Sequence, residues 1–304
     1  RDVVRVCGHI TTCGTSDEIR TEYDYWENTF LPTVERRIDA ARGETLEKHY
    51  TYDNAGRLLV ENGPLPGLGD ANYFRYDGYG RRTWEIGPAE TTGVRLARRL
   101  TYRDSDDKLI SVEEGSVPSP SSTSLTVFRR FDHAFDSQRN PVRDTASAAG
   151  APFTVLQRTF DQRGRLECAA RRMNPAAFVS LPTSACTLGT GGSFGTDRIT
   201  RNVYDAASQL LQVQRAYGTT LQQNYVTYSY TPNGKRQTAK DANNNLSTFE
   251  YDGFDRPTKL RFPVATTGTG QSSTTDYEQY SYNAVGNRTS LRKRDGRTIG
   301  YTYD

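Results

Sequence analysis

The stretch Tyr50-Thr51-Tyr52-Asp53-Asn54-Ala55-Gly56-Arg57-Leu58-Leu59-Val60 admits one local structure, a β-hairpin. Tyr50 and Tyr52 alternate with Thr51, the period of a strand with both rings on one face. Asp53 to Gly56 fits a type I turn, with Asp favoured at the first position and Gly at the fourth. Glycine there takes positive φ without a Cβ clash, which produces the bulged turn of short hairpin loops. Arg57 to Val60 is the return strand, and Gly63-Pro64 closes the unit. A lone hairpin is only marginally stable in water, so this one needs neighbours.

The chain supplies them. The pattern returns as Tyr76-Asp77-Gly78-Tyr79-Gly80-Arg81, Phe160-Asp161-Gln162-Arg163-Gly164-Arg165-Leu166 and Tyr204-Asp205-Ala206-Ala207-Ser208. It returns again as Tyr230-Thr231-Pro232-Asn233-Gly234, Tyr251-Asp252-Gly253-Phe254-Asp255-Arg256 and Tyr282-Asn283-Ala284-Val285-Gly286. Weaker copies stand at Tyr102-Arg103-Asp104 and at Phe135-Asp136, where Arg139 occupies the glycine position. Ser208, Asp255 and Arg139 each predict a changed turn type or some strain. Where no insertion intervenes, the aromatic anchors recur at roughly 21 to 26 residues, room for two strands and two turns. Each unit then leans on its neighbours, as in a solenoid. With hairpins side by side, anchors are expected about 4.8 Å apart, as a ring-on-ring ladder. Residues 115–126 (Ser/Pro-rich) and 265–275 (Gly/Ser/Thr-rich) read as exposed loops. The largest insertion, 168–199, holds a short helical turn near Pro175 and a flexible stretch from Gly189 to Gly195.

Composition fits a thin sheet better than a thick core. Hydrophobic residues make up 35% of the chain and mean hydropathy is −0.75, yet aromatics reach 11%, with 19 tyrosines. That aromatic content separates the chain from disordered ones. The 39 basic and 36 acidic residues are interspersed and leave a net charge of +3, which makes no electrostatic case for nucleic acid. No apolar run approaches the roughly 20 residues of a membrane span. A chain that opens on Arg1 and stops at Tyr303-Asp304, where another turn should begin, reads as a window on a longer polypeptide.

The motif aromatic-Asp-x-x-Gly-Arg-Leu at this period resembles the YD repeat of the RHS family. The residues that carry it are Tyr52-Asp53/Gly56-Arg57-Leu58, Phe160-Asp161/Gly164-Arg165-Leu166, Tyr76-Asp77/Gly80-Arg81 and Tyr282/Gly286-Asn287-Arg288. The resemblance covers nearly the whole chain, residues 1–304, as one continuous array. It implies a β-sheet strip spiralling into a hollow shell that encloses a C-terminal toxin or other cargo. It also implies a secreted or cell-surface, bacterial protein whose partners are the neighbouring repeats of its own chain. In teneurins a similar shell serves adhesion. The Asp-Pro-x-Gly segment that carries autoproteolytic aspartates in complete members is not found in these residues.

Residues of chemical interest have structural readings beside them. Cys7 and Cys13 bracket a short loop, and Cys168 and Cys186 bracket the largest insertion. Two local pairs fit disulfides in an oxidising setting, with buried reduced thiols as the alternative. His9 between Cys7 and Cys13 suggests zinc, but the second spaced Cys/His pair that zinc requires is missing. No histidine has a recognisable Ser or Cys partner, and no phosphate loop ends a Gly-rich stretch. No catalytic residue, metal or cofactor is therefore assigned. The recurrent Asp (Asp53, Asp77, Asp161, Asp205, Asp252) reads as the cap of its own turn rather than a calcium ligand. The recurrent Arg (Arg57, Arg81, Arg165) reads as an ion pair to a neighbouring repeat's carboxylate. The expected fold is an all-β hairpin solenoid, and its expected role is a non-enzymatic shell wall. A fibre of continuous repeats joining copies of itself, and an adhesion module whose tyrosine rows bind a glycan, are the competing roles.

Overall fold

The structure, a computed structural model, describes residues 18–90 and 93–304 and the backbone of residues 2–7. The expected Cys7–Cys13 bridge lies outside the described residues. The chain divides into two compact units, Arg1–Ala134 with Thr145–Phe153, and Phe135–Asp144 with Thr154–Asp304.

In the first unit the strands are β1 (Asp2–Cys7), β2 (Glu18–Tyr25), β3 (Pro32–Asp39), β4 (Glu44–Tyr52), β5 (Leu58–Asn62), β6 (Asn72–Tyr76), β7 (Arg82–Ala89), β8 (Arg95–Arg103), β9 (Lys108–Val117) and β10 (Thr126–Phe135). Each pairs antiparallel with the next in the chain. After β11 (Pro141–Ala148), the second unit continues with β12 (Ala151–Phe160), β13 (Leu166–Arg172), β14 (Arg198–Tyr204), β15 (Leu210–Arg215), β16 (Gln223–Tyr230) and β17 (Arg236–Asp241). It ends with β18 (Leu246–Tyr251), β19 (Pro257–Pro263), β20 (Ser272–Tyr282), β21 (Arg288–Arg292) and β22 (Thr298–Gly300), and from β12 onward each strand again pairs with its successor. The fold is all-β, hairpin after hairpin, as the alternating pattern predicts.

Hairpin parity sorts the connections in each unit. The repeat turns occupy one edge, at 53–56 and 77–80 in the first unit and at 161–164, 205–208, 231–234, 252–255 and 283–286 in the second. The insertions leave from the other edge, and two of them, 118–125 and 173–197, fold back on the sheet. Arg75 in the first unit donates to the carbonyls of Ser122 (2.8 Å) and Pro120, holding segment 118–125 across one sheet face. Leu125 and Tyr73 pack there on Trp84, Ile86, Ala97 and Val117. Gly115 lets β10 pass close, because a Cβ would meet the Thr126 carbonyl oxygen at 2.0 Å. Loop 264–271 stays largely exposed but is bonded to the adjacent turn, the Asn244 amide donating to the Gly268 carbonyl at 2.6 Å.

Insertion 173–197 covers a second small core of Cys168, Ala170, Ala185 and Ile199. Its helical turn is a 3₁₀ segment, Pro175–Ala177, capped by Asn174. The Gly-rich stretch is pinned. The Gly189 amide donates to Asp197, and the Asn174 amide donates to the carbonyls of Thr190 and Gly191. Low overall hydrophobicity thus suffices, because apolar side chains are concentrated under a few folded-back loops.

Candidate functional site

The repeat turns share one hydrogen-bond plan. The Asp53 amide donates to the Arg57 carbonyl (3.0 Å) and the Gly56 amide to the Asp53 carbonyl (2.9 Å). Asp53 Oδ1 accepts from the amides of Ala55 (2.9 Å) and Arg57 (3.0 Å), and Oδ2 accepts Arg57 Nε at 2.6 Å. The same set recurs at Asp77/Arg81, Asp161/Arg165 and Asp252/Arg256. Every carboxylate of this set is engaged inside its own hairpin. Hydrogen bonds from amides and guanidinium hold Asp53 below the ordinary carboxylate range, the Arg57 amide contributing most. Burial works to raise Asp161 and Asp252, and the bonds from Arg165 and Arg256 outweigh it.

Glycine at the fourth turn position takes φ of +77° at Gly56, +83° at Gly80, +73° at Gly164, +77° at Gly234 and +89° at Gly286. Ser208 (+67°), Asp255 (+62°) and Arg139 (+68°) keep this left-handed conformation, so the turn retains its type where glycine is lost. Two further turns of the same design, 241–245 and 293–297, lie on the opposite edge of the second unit. Neither has an aromatic anchor before it, which is why the motif does not reveal them.

Seven anchors bond to the preceding repeat in the same way. Each repeat carries a register shift beside its anchor, which leaves Tyr52 opposite Leu58 and Tyr204 opposite Leu210. The carbonyl of that opposing residue accepts the hydroxyl of the next anchor. Tyr76 donates to Leu58 (2.9 Å), Tyr204 to Leu166 (3.1 Å), Tyr230 to Leu210 (2.7 Å) and Tyr251 to Arg236 (2.8 Å). Tyr52 to Pro32, Tyr282 to Pro257 and Tyr303 to Arg288 complete the series. Phe160 lacks a hydroxyl and takes no part as a donor.

The recurrent arginine bridges forward. Arg57 lies over the Tyr76 ring at 5.0 Å, Arg165 over Tyr204 at 4.5 Å and Arg256 over Tyr282 at 4.7 Å. Their Nη1 atoms reach the carbonyls of Asp77 (3.4 Å), Asp205 (3.1 Å) and Asn283 (3.4 Å). The expected ion pair to a neighbouring carboxylate is replaced by one within the turn; Arg81 makes both, adding Asp104 at 2.6 Å and Asp107 at 2.7 Å. The expected ring-on-ring ladder is also corrected. Anchors come from every second strand, two strand spacings apart, and a guanidinium fills the gap.

Cys168 and Cys186 form a disulfide, with Cα atoms 5.3 Å apart. It closes over the same core that Arg172 and Asp197 fasten from the side. Arg172 Nη1 and Asp197 Oδ2 are 2.6 Å apart, with side chains 1% and 5% exposed. Arg172 also donates to Gln157 Oε1 and to the carbonyls of Thr187 and Ser184. Sequence inspection missed this pair, since its members stand 25 positions apart with no motif between them.

The repeat resembles the YD unit in residues, and solved structures similar to the chain include Tc toxin components. One of TcdB2-TccC3-Cdc42 covers 91% of this chain at 16% identity and a TM-score of 0.38. The Photorhabdus luminescens Tc holotoxin pore with TccC3-D651A gives 91%, 17% and 0.37. The chain spans about 15% of the length of each. A porin-like protein from Bacteroides uniformis is similar over 78% of this chain and 91% of its own, at 11% identity and a TM-score of 0.22. No family model and no curated protein matches the chain. At these TM-scores the likenesses decide nothing further, and the fold rests on the strand registers. No helix among the described residues is long and apolar enough to cross a membrane, which leaves β-barrels unaddressed.

Proposed function

We propose that the chain is a structural, non-enzymatic wall segment of a longer secreted RHS-type protein, and that the wall shields a cargo such as a toxin carried on the same polypeptide. The observation that supports this reading is the repeat contact itself. The hydroxyls of Tyr52, Tyr76, Tyr204, Tyr230, Tyr251, Tyr282 and Tyr303 and the turn arginines Arg57, Arg81, Arg165 and Arg256 are spent on the adjoining repeat, so the recurrent residues hold hairpin to hairpin. The structural residues in this role are the anchors, Asp, Gly and Arg of each turn. The wall acts sterically, separating two volumes by a hydrogen-bonded strip.

Electron microscopy of the full-length protein combined with limited proteolysis tests the proposal. Closed hollow particles that protect an internal segment from protease are the expected result. Open filaments would replace the shell by the fibre reading, and glycan-array binding to intact particles would replace it by the adhesion reading.

A further inference from the structure

In the first unit several arginines are answered in register by carboxylates on the neighbouring strand. Across β7 to β10 the opposed positions Glu85, Arg98, Glu114 and Arg129 alternate in sign, with contacts of 3.3, 3.6 and 2.8 Å. One position along, on the other face, Glu113 lies between Arg99 (2.6 Å) and Arg130 (3.4 Å). In β2 to β4, Arg36 stands between Glu22 and Glu47.

In the second unit one register sets arginine against arginine. Arg171 of β13 stands directly opposite Arg198 of β14. Two residues along β14, Thr200 opposes Arg215 of β15, which adds a third arginine on the same face. All three are exposed, while Cys168, Ala170 and Ile199, on the opposite face, lie buried under insertion 173–197. Among the described residues no carboxylate is within ion-pair distance of any of the three. Nearby acids are engaged elsewhere: Glu167 with Arg201 and Asp144 with Arg158. Arg215 rests over the Tyr225 ring at 3.5 Å. Like charges directly opposite on adjacent strands are destabilising.

We propose that Arg171, Arg198 and Arg215 form a docking site for an acidic peptide segment of a partner protein. The carboxylate is the group that occupies the matching positions between Arg98 and Arg129, and a guanidinium fork binds it in a bidentate manner. Opposed side chains sit about 5 Å apart and diagonal ones about 7–8 Å. An extended peptide presents alternate side chains roughly 6.6–7 Å apart, so successive acids on one side of it meet this row. Arginine clusters are a recurrent receptor for acidic motifs.

The test is a fluorescence-anisotropy titration of the 304-residue chain with a labelled ten-residue glutamate peptide at low and physiological salt. Expected are saturable binding that weakens with salt and a loss of about tenfold or more in the triple variant Arg171→Gln/Arg198→Gln/Arg215→Gln. Arg198→Glu is expected to abolish peptide binding and to raise Tm, because it places a carboxylate between two arginines. Binding unchanged in the triple variant overturns the proposal, as does a lowered Tm in Arg198→Glu. A sulfated oligosaccharide of equal charge that binds about tenfold tighter than the peptide overturns the choice of partner.

Discussion

Arg57 serves two hairpins at once: its Nε bonds Asp53 Oδ2 of its own turn at 2.6 Å, and its guanidinium lies 5.0 Å from the ring centroid of Tyr76 in the next. The planar fork makes both contacts without changing rotamer, which a lysine ammonium on a flexible stem does not. Arg57→Lys is therefore expected to lower Tm nearly as far as Arg57→Gln, although charge is retained. Thermal unfolding of the two variants side by side checks this, and full rescue by lysine would mean that charge alone matters.

The anchor hydroxyls carry a separable part of the contact. Tyr230→Phe keeps the ring and removes the donor to the Leu210 carbonyl at 2.7 Å. A loss of about 0.5–1.5 kcal/mol in urea unfolding is expected. Tyr230→Leu, which also removes the aromatic face, is expected to cost more.

Turn conformation predicts a gain as well as a loss. Ser208 holds φ of +67° without glycine's freedom. Ser208→Gly is expected to stabilise by up to about 1 kcal/mol, the order of the left-handed penalty less the entropy that glycine adds to the unfolded chain. Gly56→Ala is expected to destabilise, since φ is +77° and a Cβ would meet Leu31 Cδ1 at 3.1 Å. Equilibrium melts of both variants provide the comparison.

The turn was legible in sequence because its chemistry is local: Asp53, Gly56 and Tyr52 fall within five positions and each has a stereochemical reason to be there. What Arg57 touches was not legible, because Tyr76 lies 19 positions on and its placement depends on the register shift beside Tyr52. Register also hides the rows on the sheet faces. Arg98-Arg99, Glu113-Glu114 and Arg129-Arg130 look like scattered charge until alignment splits each pair between two faces. Two of the three insertions lie closer to the sheet than their composition suggests, for a related reason. Ser/Pro and Gly-rich composition signals irregular backbone, yet Arg75 and Arg172 on neighbouring strands hold such backbone against the sheet.

Acid should weaken this sheet through its turns. Asp53, Asp77, Asp161 and Asp252 all titrate below the ordinary carboxylate value in the folded chain. The unfolded chain then binds more protons in acid, so these groups stabilise the fold above about pH 4 and lose that contribution as pH falls through their folded values. Unfolding free energy is expected to be flat from these groups above about pH 5 and to fall below about pH 4. The triple variant Asp53→Asn/Asp161→Asn/Asp252→Asn should show a shallower fall, measured by urea unfolding across that range.

The buried pair under the largest insertion should prove harder to lose than the disulfide beside it. Removing the Cys168–Cys186 bridge is expected to cost about 3 kcal/mol in the chain-entropy account, by freeing the unfolded chain. Asp197→Asn leaves the Arg172 charge buried and weakens the acceptor of the Met173 and Gly189 amides, and breaking such a pair costs about 3–5 kcal/mol. The two act on different states, one on the unfolded chain and one on the folded loop, and their signatures should differ accordingly. Reduction alone is expected to lower Tm while the Met173 and Gly189 amides stay protected from hydrogen exchange. Asp197→Asn with the disulfide intact should expose those amides and open residues 183–196 to protease. Protection lost on reduction and kept in Asp197→Asn would reverse the assignment and make the disulfide the fastening of the loop.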